Sequence, residues 1–178
     1  MKPFKSILVS AGALTLIAAV ATAALAGTNA LTAGKIAENT EKAANEARLT
    51  VIEADRFRPE TLTAEGKEIT YYVADKGGEV VGYVFTVTTS GKSSGLSVMT
   101  GIGTDGKVTG VAVIEENETA GYVDKVTKGG LLSALVGKTS TEGVDTVSQA
   151  TKTSKGVKKG VDAALAYYAG LNGEGDAE

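Results

Sequence analysis

The sequence predicts an α+β chain: an N-terminal transmembrane helix with a helical stalk, then antiparallel hairpins packed against helices. Three observations predict it. Residues 6–26, SILVSAGALTLIAAVATAALA, are apolar apart from small hydroxyl side chains and carry no charge. From Glu68 the apolar residues recur with the period of strands, and turn residues separate the runs. After Glu118 the spacing lengthens to that of helices.

The first element follows from length. About 20 residues at roughly 1.5 Å each cover a ~30 Å hydrocarbon core. Lys2 and Lys5 precede the run, so the positive-inside rule puts the N-terminus in the cytoplasm and the rest of the chain on the outer face of the cell membrane. Cleavage as a signal peptide after Ala24-Leu25-Ala26 is the alternative; the length of the run favours a retained anchor over residues 1–27. Residues 28–55 are rich in Ala, Glu and Lys and read as a helical stalk, with Gly34 its weak point.

The hairpins come next. EITYYVAD and EVVGYVFTVTT flank Lys76-Gly77-Gly78, and LSVMTGIG and VTGVAVIE flank Thr104-Asp105-Gly106-Lys107. Val123, Val126, Leu131, Leu132, Leu135 and Val136 then predict a helix interrupted at Gly129-Gly130. Val157, Val161, Ala164, Leu165 and Tyr168 share one face of a last helix over residues 154–168. The domain is expected over residues 56–171, and 172–178, Gly-rich and acidic, reads as a flexible tail.

Composition narrows the chemistry. Across 178 residues there are 18 Lys+Arg against 21 Asp+Glu, a net charge of −3 without a basic block, which argues against nucleic acid as a partner. The chain has no Cys and no His. Thiol nucleophiles, Cys-ligated clusters, His-ligated haem or zinc and His-based triads are therefore excluded, and no metal ligand set is expected. Carboxylates, hydroxyls, amides or a bound organic cofactor remain. Walker and dinucleotide Gly-rich loops do not occur.

The stretch VDTVSQATKTSKGVKKGV, residues 144–161, carries the sharpest signal. Read alone, its hydroxyls and Asp145 are what any helix N-cap looks like. Asp145-Thr146-Val147-Ser148-Gln149-Ala150-Thr151 also resembles the flavinylation motif D-x-x-S-G-A-T of the FMN-binding domain family. That domain occurs in the G subunit of the Rnf ion-translocating ferredoxin:NAD oxidoreductase and in the C subunit of the sodium-pumping NADH:quinone oxidoreductase. Three more segments agree in order: Gly91 to Met99 with a Gly-rich lead into a strand, Thr104 to Val111 with D-G-K-I-x-G-V, and Glu118-Thr119-Ala120-Gly121 with E-T-P-G. The resemblance covers nearly the whole chain. It departs at Gln149 for Gly, Ala120 for Pro, and Lys92-Ser93 for Tyr-Gly. If the family's Gly is left-handed, Gln149 is costly there.

The resemblance implies FMN joined covalently to Thr151 by a phosphoester, installed by a separate flavin transferase that uses FAD. It further implies an electron-transfer subunit within a membrane redox complex that couples ferredoxin oxidation and NAD reduction to Na⁺ or H⁺ movement, with no turnover by this chain alone. A Thr hydroxyl is a poor nucleophile unaided, so the target is expected on an accessible segment. A helix start suits an esterified phosphate. Ser148, Gln149 and Ala150 complete the motif; Thr153 and Ser154 are expected to donate hydrogen bonds to the phosphate. Asp145 is expected to be read by the transferase or to hold the loop. The bend at Glu118, Thr119 and Gly121 is expected to lie against the flavin ring, with Met99 or Leu96 in apolar contact. A solvated role for Glu118 and a core role for Met99 are the alternatives. The tyrosines read as packing residues, and Lys152, Lys155, Lys158 and Lys159 as a solvated face.

Two other functions compete. One keeps the flavin in a stand-alone extracellular electron shuttle. The other, of a different class, is a pilin-like structural protein without cofactor. Against the latter, no Phe-Thr-Leu-Ile-Glu processing stretch occurs, and residues 6–26 lack the buried charge of pilins.

Overall fold

The computed structural model describes residues 2–64, 66–115, 121–171 and 173. Along the first helix it describes the side chains of 12, 14–16, 18–28, 34–35 and those from 41 onward. The chain divides into two compact units, Met1–Ala44 and Asn45–Glu178. The first is formed by helix α1, Lys2–Val51, whose residues from 45 onward belong to the second unit. Among the described residues no helix is long and apolar enough to cross a membrane. The expected anchor falls partly on side chains outside those described.

The second unit is built on a five-stranded antiparallel meander in the order β1-β2-β3-β4-β5. The strands are β1 Arg56–Ala64, β2 Lys67–Lys76, β3 Glu79–Ser90, β4 Ser94–Gly103 and β5 Val108–Glu115. Both expected hairpins are present, but the second turn, expected from Asp105-Gly106 as a two-residue one, runs over residues 104–107. Gly77 and Gly78 take φ 62° and 89°, the left-handed pair that a two-residue hairpin turn requires. In the second turn Asp105 Oδ1 accepts from Lys107 N at 3.1 Å, and that bond holds the Asp105 carboxyl below the usual carboxylate range.

Strand β1 has no counterpart among the elements expected from the sequence. It is an edge strand, which explains both its weak alternation and its proline: Pro59 pairs opposite Tyr72 without donating to the ladder. Arg58 Nε donates to Asp75 Oδ2 at 2.7 Å across the β1–β2 pair.

The two faces of the sheet are covered differently. One packs helix α4, Thr151–Leu171, together with α2, Tyr122–Lys128, and α3, Leu131–Leu135. Leu96, Val98, Val126, Leu131, Leu135, Val157 and Val161 form the buried cluster there. Tyr71, Phe85, Ile102, Ala164 and Tyr168 extend it. Helix α4 can lie this close to β4 because its inner face is small: a Cβ at Gly160 would come 2.8 Å from Val98 Cβ, and one at Gly156 would come 2.8 Å from Ser90 O. The opposite face receives the end of α1. Val51 and Ile52 pack there with Ala74, Val84 and Met99. Gly101 and Gly110, cross-strand partners, form the seat, since a Cβ on either would stand 2.5–2.6 Å from Val51 backbone atoms. Thr109 Oγ1 donates to Val51 O at 2.6 Å, and the buried Arg48 guanidinium lies 3.4 Å from the Tyr72 ring centroid. Residues 45–52, expected in the stalk, are thus part of the domain's packing.

Candidate functional site

Thr151 begins α4, earlier than the expected start at 154, and its side chain is exposed. The segment that delivers it, residues 138–150, has no regular structure of its own and is fastened to α4 at three points. Asp162 accepts from Thr141 N at 3.2 Å and from Thr141 Oγ1 at 2.7 Å. Lys158 Nζ donates to Val144 O at 2.7 Å. Ser154 Oγ accepts from Val147 N at 3.1 Å and donates to Ala150 O at 2.9 Å. Irregular backbone with this many ties to one helix is fixed in place without strand or helix pairing.

The last turn before Thr151 carries strain. Gln149 has φ 63°, and among the described residues it is the one non-glycine with positive φ. The position is therefore one that glycine fits and glutamine occupies at a cost of about 1–2 kcal/mol. Its amide Oε1 accepts from Lys125 Nζ at 3.2 Å, which ties the turn to α2.

Thr151 opens into a cavity of about 310 Å³ lined by Lys92, Tyr122, Gln149, Ala150, Lys152 and Thr153. Lys92 reaches it from the β3–β4 turn and Tyr122 from the first position of α2. The Lys92 ammonium sits 4.4 Å from the Tyr122 ring centroid, and its Nζ donates to Tyr122 Oη at 3.3 Å. Lys125 lies 5.4 Å from the same ring. A second hollow, about 550 Å³, lies along Gly121, Lys125, Lys128, Val147, Ser148 and Gln149. An exposed hydroxyl, an aromatic wall and several ammonium groups form a donor set suited to an anionic, partly aromatic group such as FMN.

The sequence-derived site residues divide. Thr151, Gln149 and Ala150 share the cavity, while exposed Ser148 and left-handed Gly121, φ 85°, border the second hollow. Glu118 and Thr119 lie outside the described residues. Three expectations need correction. Ser154 is fully buried with Oγ turned inward onto Val147 and Ala150, so it braces the loop and does not face Thr151; Thr153, equally buried, lines the Thr151 cavity. Met99 is a core residue on the sheet face opposite α4, beside Val51 and Ala74, because alternation along β4 sends it away from Val98. Leu96, on the α4 face, is fully buried in the core. Asp145 is exposed on a separate cavity of about 360 Å³ with Gly129, Gly130 and Lys138.

Sequence reasoning treated Tyr122 as packing, and Lys92 only as a departure from a motif. The legible signal for Tyr122 was its place directly after Gly121, where a helix starts. For Lys92 there was none, since the register that brings residue 92 over to α2 is set by the β3–β4 turn.

Residues 91–166 match the FMN-binding domain model and residues 1–51 match the RnfG N-terminal region. The chain is 32% identical, over 89% of its length and 90% of the relative's, to the G subunit of the Na(+)-translocating ferredoxin:NAD(+) oxidoreductase complex of Acetobacterium woodii. It is 29% identical, over 66% of its length and 67% of the relative's, to the G subunit of the proton-translocating ferredoxin:NAD(+) oxidoreductase complex of Clostridium ljungdahlii. With its FMN-binding region spanning every residue of the cavity around Thr151, the chain belongs to the family of G subunits of ferredoxin:NAD(+) oxidoreductase complexes.

Proposed function

We propose that this chain is the flavin-bearing electron-transfer subunit of a membrane-bound, ion-translocating ferredoxin:NAD oxidoreductase, with FMN joined to Thr151 through a phosphoester. The observation that carries the reading is the position of Thr151: an exposed hydroxyl at the start of α4, on a cavity with Lys92, Lys152 and Tyr122, inside the region that matches the FMN-binding domain. FMN, when bound, supplies the electron exchange between a donor and an acceptor centre. The chain's own residues do the rest. The fastened segment before α4 presents the Thr151 hydroxyl to a flavin transferase, and the lysines offset the phosphate charge. In this reading residues 1–27 anchor the chain among the complex's other membrane subunits and residues 56–171 form the FMN domain, with 172–178 a tail. Lys2 and Lys5 ahead of the apolar run support an N-terminus in the cytoplasm and a domain outside. A cofactor lost on that side would not be replaced from the cytoplasm, which is a physical reason for a covalent bond.

The test is the mass of the peptide containing Thr151, from chain made with a flavin transferase, beside a Thr151→Ala variant. The expected result is one FMN phosphoester on that peptide and none in the variant. An unmodified Thr151 with the transferase competent on another substrate refutes the reading.

A further inference from the structure

We infer that Lys92 is the counter-cation of the phosphate group attached at Thr151 and that Tyr122 is its positioning residue. The inference rests on Thr151 being the attachment point. Two features of the cavity single out Lys92. First, the described residues lining the cavity around Thr151 include the cations Lys92 and Lys152 and no carboxylate. Second, Lys92 is seated where the other lysines of the site are not. Its ammonium lies 4.4 Å from the Tyr122 ring centroid while Nζ donates to Tyr122 Oη at 3.3 Å, so ring face and hydroxyl fix it together. A lysine is a flexible point charge that normally loses much rotamer freedom on pairing, and one already held in place loses less. Lys125 faces the same ring from 5.4 Å but donates to Gln149 Oε1 and lines the other hollow. Lys152 follows Thr151 directly on α4 and lines the same cavity, but the ring contacts to Tyr122 are those of Lys92 and Lys125. A phosphodiester keeps one negative charge at neutral pH, and ammonium–phosphate pairing is among the stronger hydrogen-bonded contacts available to lysine.

The test uses full-length chain in detergent, with and without transferase-installed FMN, as wild type, Lys92→Gln and Lys92→Arg. Peptide mass first establishes that wild-type Thr151 carries FMN; its absence refutes the attachment and this inference with it. Thermal midpoints are then compared within each variant, so stability lost through the substitution itself cancels. Attachment is expected to raise the wild-type midpoint by about 3 °C more than that of Lys92→Gln, with Lys92→Arg recovering most of the gain. Equal gains in wild type and Lys92→Gln overturn the inference while leaving the attachment intact. Should the transferase fail to modify Lys92→Gln, side-chain ¹⁵N spectra of the wild type decide. The ammonium signal missing from unmodified Lys92→Arg is expected to shift on FMN attachment, and an unmoved signal overturns the inference.

Discussion

Replacing Ser154 by Ala tests whether the segment before Thr151 is held by the bond geometry described. The hydroxyl is fully buried and makes two contacts, but they are not equal. Ala150 O also accepts from Ser154 N at 2.8 Å, so losing the 2.9 Å bond from Ser154 Oγ leaves that carbonyl satisfied. Val147 N has Ser154 Oγ as its acceptor at 3.1 Å, and Val147 is half-buried against the core cluster. Truncation therefore strands one partly desolvated N–H and removes one weak back-bond. That costs about 1–2 kcal/mol, with little cavity penalty because only one oxygen is removed. For a unit of this size it corresponds to a drop of roughly 3–6 °C in thermal midpoint. The control is Ser148→Ala, three residues before Thr151 and exposed, expected within about 0.5 kcal/mol of wild type. Thermal unfolding followed by circular dichroism reads the midpoint. Amide hydrogen exchange reads the mechanism, because Val147 should lose protection in Ser154→Ala while amides of β3 keep theirs. If the two substitutions give equal midpoints, or if Val147 exchange is unchanged, the brace does not exist.

Two further predictions concern the rest of the domain. Gly110→Ala places a Cβ 2.6 Å from both Val51 Cα and Val51 O, so the end of α1 must move. A loss of about 1–3 kcal/mol is expected, read as a lower urea midpoint. Gly121→Ala, with open space around it, should not displace α1, so comparing Val51 amide protection separates the two causes. Arg58→Gln tests the edge-strand pair. The hydrogen bond from Arg58 holds the Asp75 carboxyl below its usual range, so the stabilisation is present above the unfolded pKa of about 4 and is lost as pH falls through the folded value. Wild type should therefore exceed the variant at neutral pH, and the gap should narrow as pH falls below about 4 in urea titrations. A gap that stays constant across that range refutes the assignment.

What the sequence made legible follows from what is local. Turn chemistry at Gly77-Gly78 and at Asp105-Gly106, period-2 runs in β2 to β5, and the one-sided apolar face of α4 are each decided within a few residues. The break at Gly129-Gly130 is of the same kind, because Gly130 at φ 78° separates α2 from α3. Strand β1 was not legible because its reason for existing is the neighbour it pairs with; RFRPETLTA alternates poorly and half its residues face solvent. The last turns of α1 were read as a stalk for a similar reason. Nothing in NEARLTV says that two glycines from distant strands make a seat for Val51. The site shows the same division. The motif pointed to Thr151 and Gln149, residues whose surroundings are set by the loop that carries them. Lys92 and Tyr122 meet only because a strand turn and a helix start converge, and Met99 was misplaced because strand alternation, which decides its face, was not anchored to any known partner.

The exposure pattern around Thr151 carries an argument of its own. Ser148, Gln149, Thr151 and Lys152 are exposed, whereas Ala150, Thr153 and Ser154 are buried. Under the proposed attachment, Thr151 needs an accessible hydroxyl for the modifying enzyme, yet a cofactor that transfers electrons between fixed centres needs an immobile tether. Those demands conflict in an ordinary surface loop, where accessibility comes with motion. Here they are met by neighbouring residues: the exposed side chains are flanked by ones locked into the core cluster or hydrogen-bonded to α4. The left-handed Gln149 is what makes the arrangement work, because a turn at that position, with Ala150 N donating to Val147 O at 3.1 Å, swings Ala150 inward and leaves Thr151 outward as α4 begins. Strain at Gln149 is therefore tied to how Thr151 is presented. A substitution that let residue 149 relax to negative φ would disturb Thr151 even though the side chain of residue 149 bears no bond to it.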